Sequence, residues 1–350
     1  MTQSSVTVAP DGDFPRRVSV TAPARLHLGF LDLHGGLGRR FGGIGLAIDE
    51  PATSLSAEPA SRLEIIAQAE QGRVAAAAEA AARALGLEAR ARITLHQHIP
   101  SHAGLGSGTQ LSLAVAVALA RLYCGEPAAR ALARATQRGQ RSGIGIAAFE
   151  EGGFLLDGGR GPDDTPPPQL LRLTFPQDWR ILLVHDTVER GLAGQEELAA
   201  FRNLPPMQAA CSATLCRHVL MQVLPGLVER RFDTFTAGIE TIQRLLGEHF
   251  AAVQRGHYTS PRVAAALARA VTLGARGHGQ SSWGPTGFAF LPDAESADVL
   301  VDRLVLEFAA EQGLAFTIAR GRNAGAQIET TAAQPAEPQS APRGAALLDV

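Results

Sequence analysis

The chain contains no lysine, and all 32 of its basic residues are arginine. A Walker-A loop needs a lysine on the nucleotide phosphates, and pyridoxal phosphate or Schiff-base chemistry needs a lysine amine. The sequence therefore excludes those mechanisms, and no pyridoxal phosphate is expected. Arginine remains well suited to bidentate binding of phosphate or carboxylate groups.

Cysteine is also scarce, with only Cys124, Cys211 and Cys216. The last two are five residues apart on a predicted helix, and that spacing puts them on different faces. Neither a zinc site nor a disulfide framework follows, so we expect buried, unreactive thiols.

The chain lacks a strong charge and a long apolar run. Its net charge is −2, whereas a non-specific nucleic-acid or membrane-surface binder is usually more basic. The longest apolar run, from Leu111 to Ala120, is too short to span a bilayer, and the first residues show no secretory signal. We therefore expect a cytoplasmic protein with no nucleic-acid or membrane partner.

Hydrophobic periodicity alternates between strands and helices, which predicts an α+β protein of two domains. The segment RVSVTAPARLHLGF predicts strands interrupted at a proline, and GHGQSSWGPTG (277–287) predicts a glycine-rich turn. The composition of residues 159–169 is that of a linker. We predict a loose tail over 1–15, a first domain over 16–160, a second α+β domain over 161–330 and a disordered tail over 331–350.

A glycine-rich loop, HIPSHAGLGSGTQ (98–110), precedes the apolar run LSLAVAVALARLY. The run predicts a helix from about Thr109 to Tyr123, and a helix N-terminus with glycines before it attracts anions. In the alternative interpretation a hydroxyl merely caps the helix. We predict phosphate binding by Gly104, Gly106, Ser107, Gly108 and Thr109.

Three segments carry a resemblance to the GHMP kinases. PSHAGLGSGTQ resembles their phosphate loop, APARLHLGFLDLHGG (22–36) their N-terminal motif, and GQSSWGPTG (279–287) their C-terminal glycine-rich motif. The resemblance implies a two-domain fold with a ferredoxin-like second domain. Gly108, Trp283 and Pro285 depart from the kinase pattern and weaken the case for ATP.

The same segments, together with QRGQRSGIGIAAFEEGGFLLDGG, resemble more closely a GHMP-fold family, the β-ribofuranosylaminobenzene 5′-phosphate synthases of tetrahydromethanopterin biosynthesis. That resemblance implies condensation of 4-aminobenzoate with phosphoribosyl pyrophosphate, with release of CO2 and pyrophosphate. The aromatic ring itself serves as the electron sink, so the reaction requires no lysine-bound cofactor.

Candidate site residues follow from these segments. Arg25 and His27 lie two apart on a predicted strand and share a face, and with Asp32 they are predicted to be catalytic. Mg²⁺ is expected to bridge the pyrophosphate, with Ser107 and Asp32 as metal ligands. Asp32 serves equally well as the cap of a turn.

Two further groups complete the predicted site. Arg141 and Ser142 are predicted to bind a second phosphate or a carboxylate, although arginines before a glycine also end ordinary helices. Substrate contacts are predicted from the C-terminal motif, where Trp283 offers a flat face for an aryl ring, although tryptophan is more often a core residue. The motif residues are Gln280, Ser281, Ser282, Trp283 and Thr286.

Glu196 and Glu197 begin a predicted helix, where acidic residues are favourable for structural reasons alone. Two alternatives to the synthase stay open: an ATP-dependent GHMP-type kinase of a small molecule, and a non-catalytic ligand binder of the same fold. The sequence does not separate 4-aminobenzoate from 4-hydroxybenzoate, and it leaves a homodimer open.

Overall fold

A computed structural model describes residues 16–331 except 164, 192, 193 and 255. The strands are β1 Arg17–Asp32, β2 Phe41–Pro59, β3 Glu64–Ile66, β4 Ala91–Gln97, β5 Phe154–Asp157, β6 Gln169–Leu173, β7 Arg180–Asp186, β8 Arg276–Gln280, β9 Gly287–Leu291, β10 Leu314–Ala319 and β11 Gln327–Thr331. The helices are α1 Gln71–Leu85, α2 Ser107–Tyr123, α3 Ala129–Ala135, α4 Ile144–Glu150, α5 Gly194–Asn203, α6 Ala209–His218, α7 Leu224–Val228, α8 Phe232–Gln254, α9 Pro261–Thr272 and α10 Ala294–Glu307, with a π-helical turn, Val219–Val223, joining α6 to α7.

The first sheet is built around the long antiparallel pair β1 and β2. Its strand order is β11-β1-β2-β4-β3, and β5 and β6 extend it from the other end of β2. Helix α2 is buried along almost its whole length between this sheet and α1. The apolar run that predicts α2 is therefore the centre of the first core, and its N-terminus is fixed in position by that packing.

The second sheet has the order β10-β7-β9-β8 with antiparallel neighbours. Helices α9 and α10 cover one face, while α8 and the apolar side chains of β1 lie against the other. This arrangement of strand, helix, two strands, helix and strand is ferredoxin-like. The α+β class and the ferredoxin-like second part are both confirmed.

Two sequence expectations about strands are wrong. Strand β1 continues through Pro23, because the register against β2 shifts between Pro23 and Ala24, and a bulge accommodates a residue with no N–H. The predicted glycine-rich turn at 277–287 is partly strand, since β8 occupies its beginning and pairs with β9. Small residues there fit closely against Thr236 and Gln243 of α8.

The domain boundary at residue 160 stays a prediction, but the first sheet takes strands from both sides of it. β6 and β11, which lie after that boundary, pair with β5 and β1 respectively. The predicted tails lie outside the described residues, except for Thr331 at the end of β11. The helical run Ala209–Val228 meets the length and composition required of a membrane span, a criterion that core helices of soluble proteins also meet.

Close packing of α4 on β2 can be tested at Gly45. A methyl group there would lie 2.2 Å from Ile144 Cγ2 and 2.7 Å from the Leu26 carbonyl oxygen. Gly45→Ala should lower the free energy of unfolding in urea by about 1–3 kcal/mol through overpacking. The control, Gly72→Ala, meets open space in the first turn of α1 and should be neutral or stabilising by roughly 0.5–1 kcal/mol. Equal urea midpoints for the two variants would contradict the packing.

Candidate active site

The glycine loop opens directly onto the N-terminus of α2. Gly104 and Gly106 have φ angles of +76° and +86°, in the left-handed region that favours glycine. The Gly106 carbonyl accepts hydrogen bonds from the N–H groups of Thr109 and Gln110. Within the described part of the chain, the N–H groups of Ser107 and Gly108 donate to no protein acceptor. They are the donors that a helix N-terminus presents to an anion.

Two arginines from other elements flank this first turn. Arg73 of α1 donates to Ser107 Oγ at 3.3 Å. A methyl group placed on Gly108 would lie 3.5 Å from Arg138 Nη1 and 3.7 Å from Arg73 Nη2. Both guanidinium groups therefore reach the same turn, and Gly108 leaves space for them and for a phosphate group.

A third arginine and a serine fasten the loop to the rest of the site. The guanidinium of Arg25 donates to the Gly104 carbonyl, and its backbone N–H donates to the Leu105 carbonyl at 3.1 Å. Ser281 Oγ donates to the same Gly104 carbonyl at 2.8 Å and accepts from the His27 N–H at 3.0 Å. The three segments that carry the sequence resemblance thus meet at one point.

His27 is buried beside two cations. Its ring centroid lies 4.4 Å from that of Phe30, and its Nε2 has no hydrogen-bond partner among the residues described. Burial, and then the charges of Arg25 and Arg141, lower the pKa of His27 from 6.5 to about 3. The imidazole is therefore neutral near pH 7.

An ion pair extends the site away from the loop. Arg141 Nη2 donates to Glu197 Oε2 at 2.6 Å, and the Arg141 guanidinium lies 5.6 Å from the centre of the Phe201 ring. Burial raises the pKa of Glu197, and the charges of Arg141 and Arg25 oppose that rise. The centroids of the Phe201 and Trp283 rings are 5.2 Å apart, so the ion pair packs against a pair of aromatic side chains.

Several predicted site residues make structural contacts. Ser142 Oγ donates to Asp157 Oδ2 at 2.9 Å, so it caps α4 together with a buried carboxylate. Thr109 packs its methyl against Gly145. Gln280 accepts from the Thr259 N–H at 2.7 Å, and the Thr286 carbonyl accepts from Ser281 at 3.0 Å. Ser142 and Gln280 are thus held by structural partners, whereas Thr109 lies in the first turn of α2 itself and Thr286 lines the cleft that also contains Arg73.

Trp283 and Ser282 lie in the site, but they do not form an exposed surface on which a ligand ring could stack. Trp283 is 3% exposed and packs against Phe201 and Phe250, so no face is available to an aryl ring. Only the edge of the ring remains, where the indole N–H bonds to the Glu197 carboxylate and opposes the rise in its pKa. Ser282 donates its N–H to the His27 carbonyl at 3.4 Å and lines a small cavity of 30 Å³ beside that histidine.

The structure does not bring Ser107 and Asp32, the two predicted magnesium ligands, together. Asp32 Oδ1 accepts from the N–H groups of His34 and Gly35 and from Ser212 Oγ, which is the turn-capping alternative. Asp32 lies seven residues beyond Arg25 on β1, about 20 Å along the strand. Because Arg25 contacts the glycine loop, Asp32 is too far from Ser107 to bind the same ion.

Sequence reasoning missed Arg73 as a site residue and assigned Glu197 to a helix start. Arg73 is a cation in the first turn of an alanine-rich helix, and only the pairing of α1 with α2 brings it to the loop. Glu197 reaches the site because α5 packs Phe201 against Trp283. A cleft of 670 Å³, lined in part by Arg73 and His102, opens beside the loop.

The chain resembles known proteins in sequence and in fold. Residues 72–153 match the model of the GHMP kinases N terminal domain. The β-ribofuranosylphenol 5′-phosphate synthase of Methanothermobacter thermautotrophicus is 31% identical over 77% of this chain and 87% of its own length. The synthase of the same name from Archaeoglobus fulgidus is 31% identical over 88% of this chain and 98% of its own length.

Solved structures share the fold at low identity. Homoserine kinase from Cytophaga hutchinsonii matches with a TM-score of 0.64 and 18% identity, covering 92% of this chain and all (100%) of that one. Mevalonate diphosphate decarboxylase from Staphylococcus aureus matches with a TM-score of 0.64 and 14% identity. The match covers 90% of this chain and 98% of the decarboxylase chain. The GHMP fold expected from the sequence is therefore confirmed.

The anion site predicts that inorganic pyrophosphate binds in a charge-dependent way. Arg138→Gln should weaken binding about tenfold or more, because one charged hydrogen-bond donor is lost at the first turn of α2. Arg83→Gln is the matched control, since Arg83 is a solvent-facing arginine in the last turn of α1. Titration calorimetry measures both, and equal weakening by the two variants would refute the site.

The neutral state of His27 predicts a pH dependence of stability. The unfolded chain takes up this proton near pH 6.5 and the folded chain only near pH 3, so acidification between those values favours unfolding. When the pH falls from 7 to 5, the free energy of unfolding should decrease less in His27→Gln than in the native chain. The difference between the two decreases should be about 2 kcal/mol at most. Burial also lowers the pKa of His185, to about 4. This second histidine is present in the native chain and in the variant, so it destabilises both at acid pH. Parallel losses in urea titrations would contradict the burial of His27.

Proposed function

This chain belongs to the β-ribofuranosylphenol 5′-phosphate synthase family, and we propose that it condenses an aryl acid with phosphoribosyl pyrophosphate, releasing CO2 and pyrophosphate. The observation that carries the proposal is the continuity of the site. An anion-binding helix N-terminus with three arginines leads, through Arg25, to a buried polar cluster against aromatic rings. The resemblance that implied this reaction also implies a place in tetrahydromethanopterin biosynthesis.

The first part of the proposed reaction is departure of the diphosphate. The N–H groups at the start of α2, with Arg73 and Arg138, stabilise the negative charge that develops on the leaving group. Arg25 lies between the loop and the ion pair of Arg141 and Glu197, so it borders both the leaving group and the incoming ring. Holding both reactants there makes the attack on the anomeric carbon effectively intramolecular.

The second part is chemistry of the ring. The carbon that bears the carboxylate supplies an electron pair to the anomeric carbon, while the pyrophosphate leaves with the pair of the broken C–O bond. Loss of CO2 returns the pair of its C–C bond to the ring and restores aromaticity. The names of the relatives specify a phenol product, which corresponds to 4-hydroxybenzoate, whereas the sequence resemblance implied 4-aminobenzoate.

Magnesium is proposed to enter with the substrate. Within residues 16–331 as described, no group of three or more His, Cys, Asp or Glu side chains is placed to hold a metal ion. Arg73 and Arg138 flank the first turn of α2, and the carboxylate beside them, Glu70, is already paired with Arg73, so this set does not fit a metal ion held by the protein alone. Mg²⁺ binds readily to diphosphate oxygens and keeps several waters, so we assign its ligands to the substrate.

The proposal is tested with purified protein, Mg²⁺, phosphoribosyl pyrophosphate and carboxyl-labelled 4-hydroxybenzoate or 4-aminobenzoate. We expect labelled CO2 that depends on the phosphoribosyl donor and matches the released pyrophosphate one to one. A parallel reaction contains ATP and no donor. Consumption of ATP without CO2 release would replace the proposal with the kinase alternative, which the fold shared with homoserine kinase favours.

A further inference from the structure

A cavity of 230 Å³ opens beside the C-terminal end of α3. The polar residues that line it are Arg134, Gln137, Arg138, Gln140, Arg160 and Thr165. None of the described residues around it carries a carboxylate. The side chains of Arg134 and Arg138 form no ion pair and donate to no protein acceptor within the described part of the chain. A concave surface with positive charge and no protein counter-charge attracts an anion.

The backbone around Arg138 adds further donors to this cavity. Gln137 and Gly139, on either side of Arg138, have φ angles of +56° and +77°. The N–H groups of Gly139 and Gln140 donate to no protein acceptor among the residues described. Consecutive N–H groups next to left-handed residues form concave sites for anions. The cavity therefore offers both charged side chains and neutral backbone donors.

Arg138 connects the cavity to the first turn of α2. Its side chain lines the cavity, and its Nη1 lies 3.5 Å from the position of a methyl group on Gly108. Loss of water around the guanidinium, and then the charge of Arg73, lower the pKa of Arg138. Arg73 is paired with Glu70, whereas Arg138 has no such partner within the described chain. One cation thus borders two neighbouring places in which bound negative charge would offset its repulsion from Arg73.

Other polar groups near the glycine loop are less suited to a second phosphate. Arg141 and Ser142, which the sequence predicts for a second anion, are hydrogen-bonded to Glu197 and Asp157 respectively. The larger cleft of 670 Å³ has four acidic residues in its lining, and these repel a dianion: Glu50, Glu70, Asp186 and Glu189.

Resting on the proposed function, we propose that this cavity binds the 5-phosphate of the phosphoribosyl donor, with Arg134 and Arg138 as its charged ligands. A ribose ring separates the diphosphate of the donor from its 5-phosphate, so the two groups need adjacent sites. The first turn of α2 takes the diphosphate, Arg138 lies between the two groups, and Arg134 contacts the 5-phosphate alone. Binding at both ends fixes the position of the anomeric carbon for attack.

The test measures binding of ribose 5-phosphate and of inorganic pyrophosphate by titration calorimetry. Both should bind the native protein at once, so saturation with pyrophosphate should leave one ribose 5-phosphate site per chain. Arg134→Gln should weaken ribose 5-phosphate binding about tenfold or more, because one charged donor is lost, and change pyrophosphate binding less than about twofold. Arg138→Gln should weaken both, because Arg138 borders both places.

Kinetics provide a second measurement with the same variant. Arg134 is an exposed residue in the last turn of α3, so its replacement leaves the core unchanged. Arg134→Gln should raise the KM for phosphoribosyl pyrophosphate about tenfold and leave the KM for the aryl acid unchanged, because the 5-phosphate does not react. Arg83→Gln, the solvent-facing control on α1, should change neither binding nor KM.

Three results would overturn the 5-phosphate site: no binding of ribose 5-phosphate, mutually exclusive binding of the two ligands, or equal weakening of both by Arg134→Gln. Absence of donor-dependent CO2 release in the native protein would instead refute the proposed function. The calorimetric titrations require no turnover, so they separate the two failures.

Discussion

The hydroxyl of Ser281 is the contact on which the geometry of the site depends. It donates to the Gly104 carbonyl and accepts from the His27 N–H, joining segments that are 177 and 254 residues away along the chain. Ser281 is fully buried, and a methyl group at Gly104 would lie 2.2 Å from its carbonyl oxygen. Because the two backbones approach here without space for a side chain, the glycine loop is held close to β1 and to the residue that follows β8.

That fixed junction determines where positive charge is placed. Burial lowers the pKa of Arg25 to about 10, with Glu197 opposing the change, so the guanidinium still carries its charge near pH 7. A lysine begins about two pKa units lower than arginine, so the same burial would bring its pKa to within about one unit of pH 7. The exclusive use of arginine therefore has a physical consequence in the site, since partly buried cations stay charged beside a diphosphate.

The sequence predicts those parts of the site that depend on neighbours in the chain. The glycine loop, the start of α2 and the face shared by Arg25 and His27 follow from local spacing and strand alternation. The turn-capping alternative for Asp32 is likewise local, because its carboxylate accepts from the N–H groups of His34 and Gly35, whereas its bond to Ser212 joins residues 180 apart. Local rules could not reveal Arg73 or Glu197, because each reaches the site only through helix packing.

The fold is predictable to a similar extent and for the same reason. Apolar periodicity identifies most helices and strands, but the path of β1 through Pro23 depends on a register shift against β2 that no local pattern encodes. The contribution of β6 and β11 to the first sheet is likewise a matter of long-range pairing. The composition of residues 159–169 indicates a linker between domains. The first sheet nevertheless includes β6 and β11, whose residues follow or end that segment.

Four aromatic residues of this chain lie where they affect the ionisation of buried groups. Phe30, Phe201, Phe250 and Trp283 contact one another around His27 and Glu197. The water that they exclude would otherwise stabilise both charged forms, so burial raises the pKa of the acid and lowers that of the base. One apolar wall thus has opposite effects on two neighbouring groups: it makes the carboxylate the better proton acceptor and keeps the imidazole neutral. The ionisation of these two groups is consequently set by packing as well as by the identity of the side chains.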